Sequence, residues 1–276
     1  MKAKGNPLFF NAGVGRLYGE WHRRDGKKPV LVFLHEGLGS VAQWKDFPGL
    51  LCDRTGHAGF VFDRRGHGKS EPLETPRGPE YLHEEAHRSL PNVLENQGIE
   101  KPVLIGHSDG GTIALLFAAR FPEKVTAVIT EAAHVFVEPV TLEGIRKAVD
   151  LFNRTDLEKR LAAYHGKNTA GVFHNWADTW LDPRFRAWNV EDDLAEIRCP
   201  LLVIQGEEDE YGTPAQVEAI AGKTPGSADA WLIPRCGHIP HQQAREAVLR
   251  RMADFIAATT GRGDGRGGCS GTGSPR

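Results

Sequence analysis

Six short apolar runs, most of them ending in small or polar residues, constrain the fold of this chain more than any other feature. They are PVLVFLHEG (29–37), GFVFDRRG (59–66), PVLIGHS (102–108), VTAVITEA (125–132), PLLVIQGEED (200–209) and DAWLIPRCGH (229–238). Runs of Val, Ile, Leu and Phe this continuous are typical of strands buried on both faces of a parallel sheet. Segments with helical spacing lie between them, for example residues 111–123 and 244–260. The alternation predicts an α/β protein with a doubly wound, mostly parallel sheet.

Two stretches depart from this alternation. The N-terminal stretch alternates apolar and polar residues and contains the turn pair Asp25-Gly26, so we expect an antiparallel hairpin that leads into the sheet. From about residue 134 to 190 no strand-like run occurs, but helical stretches and an aromatic-rich segment do. Such an insertion predicts a helical cap over the carboxyl edge of the sheet, where ligand sites of α/β proteins form.

The predicted domain organisation therefore has three parts. Residues 1–132 and 191–260 form the α/β core, and residues 133–190 form an inserted helical cap. Residues 261–276 are Gly-rich and almost devoid of apolar side chains, which predicts a disordered tail. The chain has 276 residues, of which 40% are hydrophobic, and this is enough to bury the core of one large α/β domain or two small ones.

Charge and cysteine content argue against several classes of protein. Lys and Arg number 34 and Asp and Glu 36, so the net charge of -2 favours neither nucleic acid nor an anionic membrane as a partner. No run approaches the about 20 apolar residues of a membrane span, and the first residues lack the apolar core of a signal peptide, so we expect a cytoplasmic location. Cys52, Cys199, Cys236 and Cys269 lie far apart and form no C-x-x-C pair, which disfavours a zinc ribbon or a dithiol site. No metal, phosphate-loop or dinucleotide motif stands out, so no cofactor is expected.

A serine in a G-x-S-x-G motif carries the predicted chemistry. Gly106-His107-Ser108-Asp109-Gly110 lies at the end of a predicted strand and just before a helical pattern. The turn between such elements is so sharp that small residues are needed on both sides, and it leaves the serine Oγ protruding. Ser108 is therefore the predicted nucleophile.

A serine hydroxyl needs an adjacent base and an acid that orients it, and chain order limits both choices. In this architecture the order is Ser, acid, His. His238 follows the last predicted strand directly and is favoured as the base over His241, which lies beyond Pro240. Asp209 is favoured as the acid by a Gly-x-x-Asp spacing after its strand, and Glu131, at the end of an earlier strand, is the alternative.

Two backbone amides should stabilise the oxyanion that forms when the serine attacks a carbonyl. Losing one such donor typically costs about 3 to 4 kcal/mol of transition-state stabilisation. One donor is the amide that follows the nucleophile, which belongs to Asp109, and the other comes from the loop after an early strand. Gly37 is the predicted donor in that loop, with Leu38 as the alternative.

Five motifs in order resemble those of the α/β-hydrolase superfamily, and in particular its capped, esterase-like members. They are HEGLGS (35–40), DRRGHGKS (63–70), GHSDGG (106–111), GEED (206–209) and GH (237–238). The resemblance implies an α/β-hydrolase fold with an inserted helical cap and a serine hydrolase that cleaves a small carboxylic ester, lactone or thioester through an acyl-enzyme. It does not identify the substrate. A carbon–carbon bond hydrolase, a perhydrolase or acyltransferase, and a non-catalytic homologue that binds a small molecule are the alternatives.

Some residues depart from the superfamily pattern or are ambiguous. Glu36 replaces the usual Gly after the His of the oxyanion loop, and an acid, Asp109, follows the nucleophile. Glu36 either turns to solvent or recognises a cationic or hydroxylated substrate. In DRRGHGKS, His67 and Ser70 are expected to shape a loop, and Arg64 or Arg65 to pair with a nearby acid.

The predicted partner is a small-molecule substrate, with neither a nucleic acid nor a membrane partner, and the oligomeric state is left open. The residues predicted to line its pocket are His35, Glu36, Leu38, His107, Trp176, Trp180 and Tyr211. Phe173 and Trp188 are further aromatic residues of the predicted cap. The spacing of these aromatic residues suits the packed face of a helix equally well.

Overall fold

A single eight-stranded sheet runs through the described residues and confirms the predicted fold class. The structure is a computed structural model that describes residues 5–24, 26 and 28–261. The strands are β1 (Asn6–Asn11), β2 (Arg16–His22), β3 (Leu31–Leu34), β4 (Gly59–Asp63), β5 (Val103–His107), β6 (Ala127–Glu131), β7 (Leu201–Gly206) and β8 (Ala228–Ile233). Their order is β1-β2-β4-β3-β5-β6-β7-β8, and the pairs β1–β2 and β2–β4 are antiparallel while the others are parallel.

Helices cover both faces of the sheet. They are α1 (Phe47–Thr55), α2 (Tyr81–Glu84), α3 (Leu90–Gln97), α4 (Asp109–Arg120), α5 (Pro139–Arg154), α6 (Leu157–His165), α7 (Thr169–Leu181), α8 (Pro214–Lys223), α9 (Pro240–Gln243) and α10 (Arg245–Thr260). Val32 and Leu34 of β3 pack in a cluster with α3, α4 and α8, whereas Leu31 and Phe33 pack with α1 and α10 on the other face. Because both faces are covered, the central strands are apolar without interruption.

The predicted N-terminal hairpin is present, but its turn was placed wrongly. β1 and β2 pair through the turn at residues 12–15, where Gly13 and Gly15 have φ angles of 75° and 107° that suit glycine. Gly26 lies instead in the connection from β2 to β3, and Asp25 lies outside the described residues. β2 and β3 do not pair, because β4 lies between them in the sheet.

The segment between β6 and β7 contains α5, α6 and α7, as the helical insertion predicts. Its ends meet, since Phe136 forms an isolated antiparallel bridge with Asn189 and the Val190 amide donates to the Val135 carbonyl over 2.8 Å. The division into core, cap and tail stays a prediction, and its tail lies outside the described residues except for Gly261.

None of the helices in the described ranges is long and apolar enough to cross a membrane. Cys52, Cys199 and Cys236 are buried and form no disulfide, and Cys269 lies outside the described residues.

Candidate active site

The turn at Ser108 connects β5 directly to α4. β5 ends at His107 and α4 begins at Asp109, so Ser108 makes the turn with φ 52° and ψ −118°. A non-glycine residue in such a region typically costs about 1 to 3 kcal/mol, which the surrounding packing must offset. A Cβ on Gly106 would lie 2.1 Å from the Gly110 carbonyl oxygen, and a Cβ on Gly110 would lie 2.0 Å from the Leu34 carbonyl oxygen. Glycine at both positions is therefore a steric requirement of the turn.

Ser108, His238 and Asp209 form a continuous hydrogen-bonded chain. The distance from Ser108 Oγ to His238 Nε2 is 3.0 Å, and from His238 Nδ1 to Asp209 Oδ1 it is 2.8 Å. The carboxylate also accepts the Tyr211 amide over 2.9 Å, and Glu210 accepts the His238 amide over 3.2 Å. When His238 Nδ1 donates to Asp209, its Nε2 accepts the Ser108 hydroxyl, which is the arrangement needed for proton removal.

Electrostatics couple the acid to the imidazole. Burial acts to lower the pKa of His238, but the charge of Asp209 and its hydrogen bond outweigh burial and raise that pKa above 6.5. Burial likewise acts to raise the pKa of Asp209, while His238 holds it below its usual value. The pair is therefore arranged to stabilise an imidazolium next to Ser108.

The predicted oxyanion donors differ in whether their amides are already engaged. The Leu38 amide donates to Glu36 Oε2 over 3.0 Å. Among the residues that the structure describes, neither the Gly37 amide nor the Asp109 amide donates to a protein acceptor. This difference favours Gly37 over Leu38 as the donor from the loop after β3.

A cavity of about 180 Å³ opens on Ser108 and is lined by residues of both the sheet edge and the insertion. The lining residues are Glu36, Leu38, His107, Ser108, Asp109, His134, Thr141, Ile145, Trp176, Trp180, Glu210, Tyr211, His238 and Ile239. Helices α5 and α7 supply four of them, and α7 packs closely on the oxyanion loop. A Cβ on Gly37 would lie only 2.4 Å from Trp176 Cδ1.

Six of the seven predicted pocket residues line this cavity, and His35 does not. His35 is buried beneath the loop, where its Nε2 accepts the Arg64 amide over 3.0 Å and its Nδ1 lies 2.8 Å from the Glu36 carbonyl oxygen. Both ring nitrogens are thus used to shape the loop. Phe173 stacks on Phe152 instead of lining the cavity.

Other lining residues were not predicted. Thr141 and Ile145 lie one turn apart on α5, but nothing in their helical pattern distinguishes the face that reaches the cavity. His134 follows β6, and Glu210 and Ile239 are sequence neighbours of Asp209 and His238. That adjacency was the available signal for the last two.

The Asp109 carboxylate is only 3% exposed and is held by partners from other elements. The Tyr81 hydroxyl donates to Asp109 Oδ2 over 2.8 Å, and Trp180 Nε1 donates to the Tyr81 oxygen over 2.9 Å. Arg64 Nη2 lies 3.8 Å from the same carboxylate oxygen, while Arg65 pairs with the exposed Glu74.

The two predicted alternatives, Glu131 and His241, pair with each other. Glu131 Oε2 lies 2.5 Å from His241 Nδ1, and both side chains are buried. The Glu131 carbonyl also accepts the Ser108 amide over 2.8 Å, so Glu131 supports the turn through its backbone. Neither residue takes part in the hydrogen-bonded chain of Ser108.

His67 and Ser70 of the same motif bond to backbone groups. His67 Nε2 lies 3.0 Å from the Gly37 carbonyl oxygen, and Ser70 Oγ donates to the Asp63 carbonyl over 2.6 Å. In the described part of the chain, no group of three or more His, Cys, Asp or Glu side chains is arranged to hold a metal ion.

A family model described as alpha/beta hydrolase fold matches residues 29–193. The chain is 25% identical to a 2-hydroxy-6-oxo-6-phenylhexa-2,4-dienoate hydrolase of Burkholderia cepacia, over 84% of this chain and 89% of that protein. It is 32% identical to an sn-1-specific diacylglycerol lipase of Mus musculus, over 84% of this chain and 82% of that protein. The crystal structure of the enol-lactonase from Burkholderia xenovorans LB400 superposes with a TM-score of 0.72 at 19% identity, covering 91% of this chain and 100% of that chain.

Proposed function

Because this chain belongs to the α/β-hydrolase fold family and is a hydrolase of that fold, we propose that it cleaves a small carboxylic ester through an acyl-enzyme on Ser108. The observation that carries the proposal is the hydrogen-bonded chain from Ser108 Oγ through His238 to Asp209, at a strained turn whose serine lines the cavity. Its buried position beside a cavity suits nucleophilic catalysis on a small molecule.

In the proposed reaction, Ser108 Oγ attacks the ester carbonyl as His238 Nε2 takes its proton. The Gly37 and Asp109 amides donate to the oxyanion, and Asp209 stabilises the imidazolium. The tetrahedral intermediate then collapses, and the leaving alkoxide takes the proton from His238 and departs as the alcohol. A water molecule next attacks the acyl carbon as His238 Nε2 takes one of its protons. Collapse of this second intermediate returns that proton to Ser108 Oγ and releases the carboxylic acid.

We further propose that residues 133–190 act as a cap over this cavity. Thr141 and Ile145 of α5 and Trp176 and Trp180 of α7 all line it. These side chains would exclude bulk water from the oxyanion and strengthen the amide dipoles there. The described residues of the cap thus supply much of the apolar surface that an acyl group would contact.

The charge of the cavity favours an ester over a substrate that carries a carboxylate. Glu36 and Glu210 line it, together with Asp109, whose carboxylate is engaged by Tyr81 and lies near Arg64, and among its described lining residues there is no Lys or Arg. A dienoate, named as the substrate of the relative from Burkholderia cepacia, bears a carboxylate that would lie unpaired against these acids. Burial raises the pKa of Glu36. A substrate carboxylate beside Glu36 would raise this pKa further. The carbon–carbon bond hydrolase therefore stands as the second candidate, supported by the relative's name.

A fluorophosphonate probe tests the proposal directly. The wild-type protein should be labelled, and Ser108→Ala should abolish both labelling and hydrolysis of p-nitrophenyl butyrate. Ser70→Ala is a matched control, since Ser70 is also buried but donates to the Asp63 carbonyl and lines neither this cavity nor the cavity that adjoins it. A folded wild type that is neither labelled nor active would contradict the proposal and favour a small-molecule-binding homologue.

The acyl-enzyme can be partitioned to separate the remaining reactions on the same three residues. With p-nitrophenyl butyrate as the acyl donor, the products formed in water alone, with hydrogen peroxide and with an added alcohol are compared. Hydrolysis should dominate at millimolar nucleophile. A perhydrolase or acyltransferase would instead form mostly peracid or the new ester, and parallel assays with lactones and thioesters define the leaving group.

A further inference from the structure

A second cavity, of about 230 Å³, adjoins the cavity that contains Ser108. Glu36, His107 and Ile239 line both, so the two cavities share a wall. The other described lining residues of the second cavity are His35, Gly39, Ser40, Gln43, Trp44, Lys45, Tyr164, His241 and Gln242. Apart from Trp44 and Tyr164, the side chains among these residues carry polar groups.

His241 is fixed so that one ring nitrogen is used and the other is left available. Its Nδ1 lies 2.5 Å from the fully buried Glu131 carboxylate, and its ring packs on Trp44 with centroids 4.5 Å apart. The side chain is only 4% exposed, yet across the described residues its Nε2 makes no hydrogen bond. His241 lines the cavity, so a ligand there could pair with this nitrogen.

The rim of the cavity is built from polar groups held by one another. Lys45 Nζ donates to Gln242 Oε1 over 2.7 Å, and Ser40 Oγ donates to Gln43 Oε1 over 2.9 Å. Lys45 has φ 56° and ψ −127°, a region that costs a non-glycine residue about 1 to 3 kcal/mol. Such strain concentrates at functional sites, and here it lies at the cavity and not in a distant loop.

We propose that this second cavity is a subsite for the alcohol part of the ester and that it recognises hydroxyl groups. The inference rests on the proposed ester hydrolysis. A hydroxyl both donates and accepts, so it pairs with His241 Nε2 in either protonation state and with the Gln side chains of the rim. Glu36 and Lys45 bring opposite charges to the lining, so a neutral ligand fits better than an ion. The substrates are then esters of small hydroxylated alcohols, with the acyl group in the first cavity.

A pair of butyrate esters tests this subsite. We compare kcat/KM for 2,3-dihydroxypropyl butyrate and propyl butyrate, which differ only by two hydroxyl groups on the alcohol. The wild-type protein should prefer the dihydroxypropyl ester by about tenfold, as two modest hydrogen bonds would give. Propyl 3-hydroxybutyrate, with its hydroxyl on the acyl side, should show no such preference.

Two variants separate recognition by His241 from a general effect on the site. His241→Phe keeps the aromatic packing on Trp44 but removes both ring nitrogens, so it is made together with Glu131→Gln, which removes the buried charge that Nδ1 pairs with. Relative to Glu131→Gln alone, the double variant should reduce the preference about fivefold or more. His57→Phe makes the same exchange at a buried histidine in the connection between α1 and β4, outside both cavities, and should leave the preference unchanged. Partition of the wild-type acyl-enzyme between glycerol and 1-propanol gives a measurement that needs no variant, and glycerol should be the better acceptor.

The outcomes are distinct. Three results would overturn the subsite while leaving ester hydrolysis intact. The first is equal rates on the two butyrate esters together with equal partition of the acyl-enzyme between glycerol and 1-propanol. The second is a preference that follows the acyl hydroxyl, and the third is an equal loss of kcat/KM on both esters when His241→Phe is added to Glu131→Gln. If no ester is hydrolysed and Ser108 is not labelled, the proposed function itself fails.

Discussion

The contacts of the Asp109 side chain predict how strongly the stability of the protein depends on Tyr81. Asp109 is buried and accepts the Tyr81 hydroxyl over 2.8 Å, and the Tyr81 oxygen accepts Trp180 Nε1 over 2.9 Å. Burial, together with Asp109, raises the pKa of Tyr81 well above its usual value, so the phenol stays protonated and donates. The hydroxyl therefore satisfies a carboxylate of α4 and an indole of α7 at once.

Tyr81→Phe fills nearly the same volume but leaves both partners without this hydroxyl. A hydrogen bond to a charged group contributes about 1.5 to 3 kcal/mol, and an unsatisfied buried donor costs about 1 to 3 kcal/mol. The two terms together predict a destabilisation of about 2.5 to 6 kcal/mol. For a domain of this length, that corresponds to a Tm lower by about 5 to 12 °C.

Urea and thermal unfolding of the wild type and the variant measure this difference. Tyr164→Phe is the matched control, because Tyr164 is 39% exposed on α6 and its loss of a hydroxyl should change stability by less than about 0.5 kcal/mol. At 25 °C the loss of kcat/KM in Tyr81→Phe should stay well below the about 10² to 10³-fold that removal of an oxyanion donor causes, since the Asp109 amide remains.

Asp109→Asn completes a double-mutant cycle with Tyr81→Phe. We expect a coupling energy of about 1 to 2 kcal/mol, because the two side chains are in direct contact. Asp109→Asn should also change the hydrolysis of neutral and cationic esters equally, since the carboxylate is already engaged. A destabilisation by Tyr81→Phe below about 1 kcal/mol, or strict additivity in the cycle, would refute this account of Asp109.

Four further predictions concern the proposed site. Because the proposed base is neutral His238 and its pKa is raised above 6.5, kcat/KM should fall as the pH decreases through a pKa above that value. Asp209→Asn should lower kcat by about 10⁴-fold and move this acid limb to lower pH, which a pH–rate profile would measure. Glu36→Gln keeps an oxygen that can accept the Leu38 amide but removes a charge that raises the pKa of His238. The acid limb of the pH–rate profile should therefore move slightly to lower pH. The value of kcat/KM for anionic esters should also rise relative to neutral esters. Gly37→Ala should lower kcat/KM by about 10²-fold or more through collision with Trp176, and Trp176→Ala should restore part of it if the collision is the cause.

Local sequence patterns predicted the fold class correctly but placed one turn wrongly. Both faces of the sheet are buried, so its parallel strands share an apolar composition. The apolar runs in the sequence therefore predicted these strands. Asp25-Gly26 is a strong turn pair by composition, yet the hairpin turns at residues 12–15. The position of β2 depends on β4, which lies about forty residues further along the chain, and no local pattern reports that pairing.

The oxyanion loop shows a second limit of sequence reasoning. Gly37 and Leu38 could both supply the donor by position, and the choice depends on where the Glu36 side chain turns. Glu36 bonds back to the Leu38 amide. His35 was expected in the pocket because it precedes these residues in the sequence. Its ring lies beneath the loop instead, where it accepts the Arg64 amide. The first outcome depends on a side-chain hydrogen bond within the loop and the second on a bond to another segment, and neither is a pattern in the sequence.

The most informative ambiguity concerned two acids and two histidines. Glu131 ends β6 and Asp209 closely follows β7, and His238 and His241 both follow β8, so position within the fold allows either acid and either base. The structure forms two pairs, Asp209 with His238 and Glu131 with His241, and only the first reaches Ser108. Because a buried charge or imidazole requires a partner, the residues that lose the competition for Ser108 must still be satisfied elsewhere. Their pairing leaves His241 Nε2 without a protein partner among the described residues, in the lining of a second cavity. Residues that compete for one role by sequence are therefore expected to have different roles. His238→Phe should abolish fluorophosphonate labelling, whereas His241→Phe combined with Glu131→Gln should change the alcohol preference.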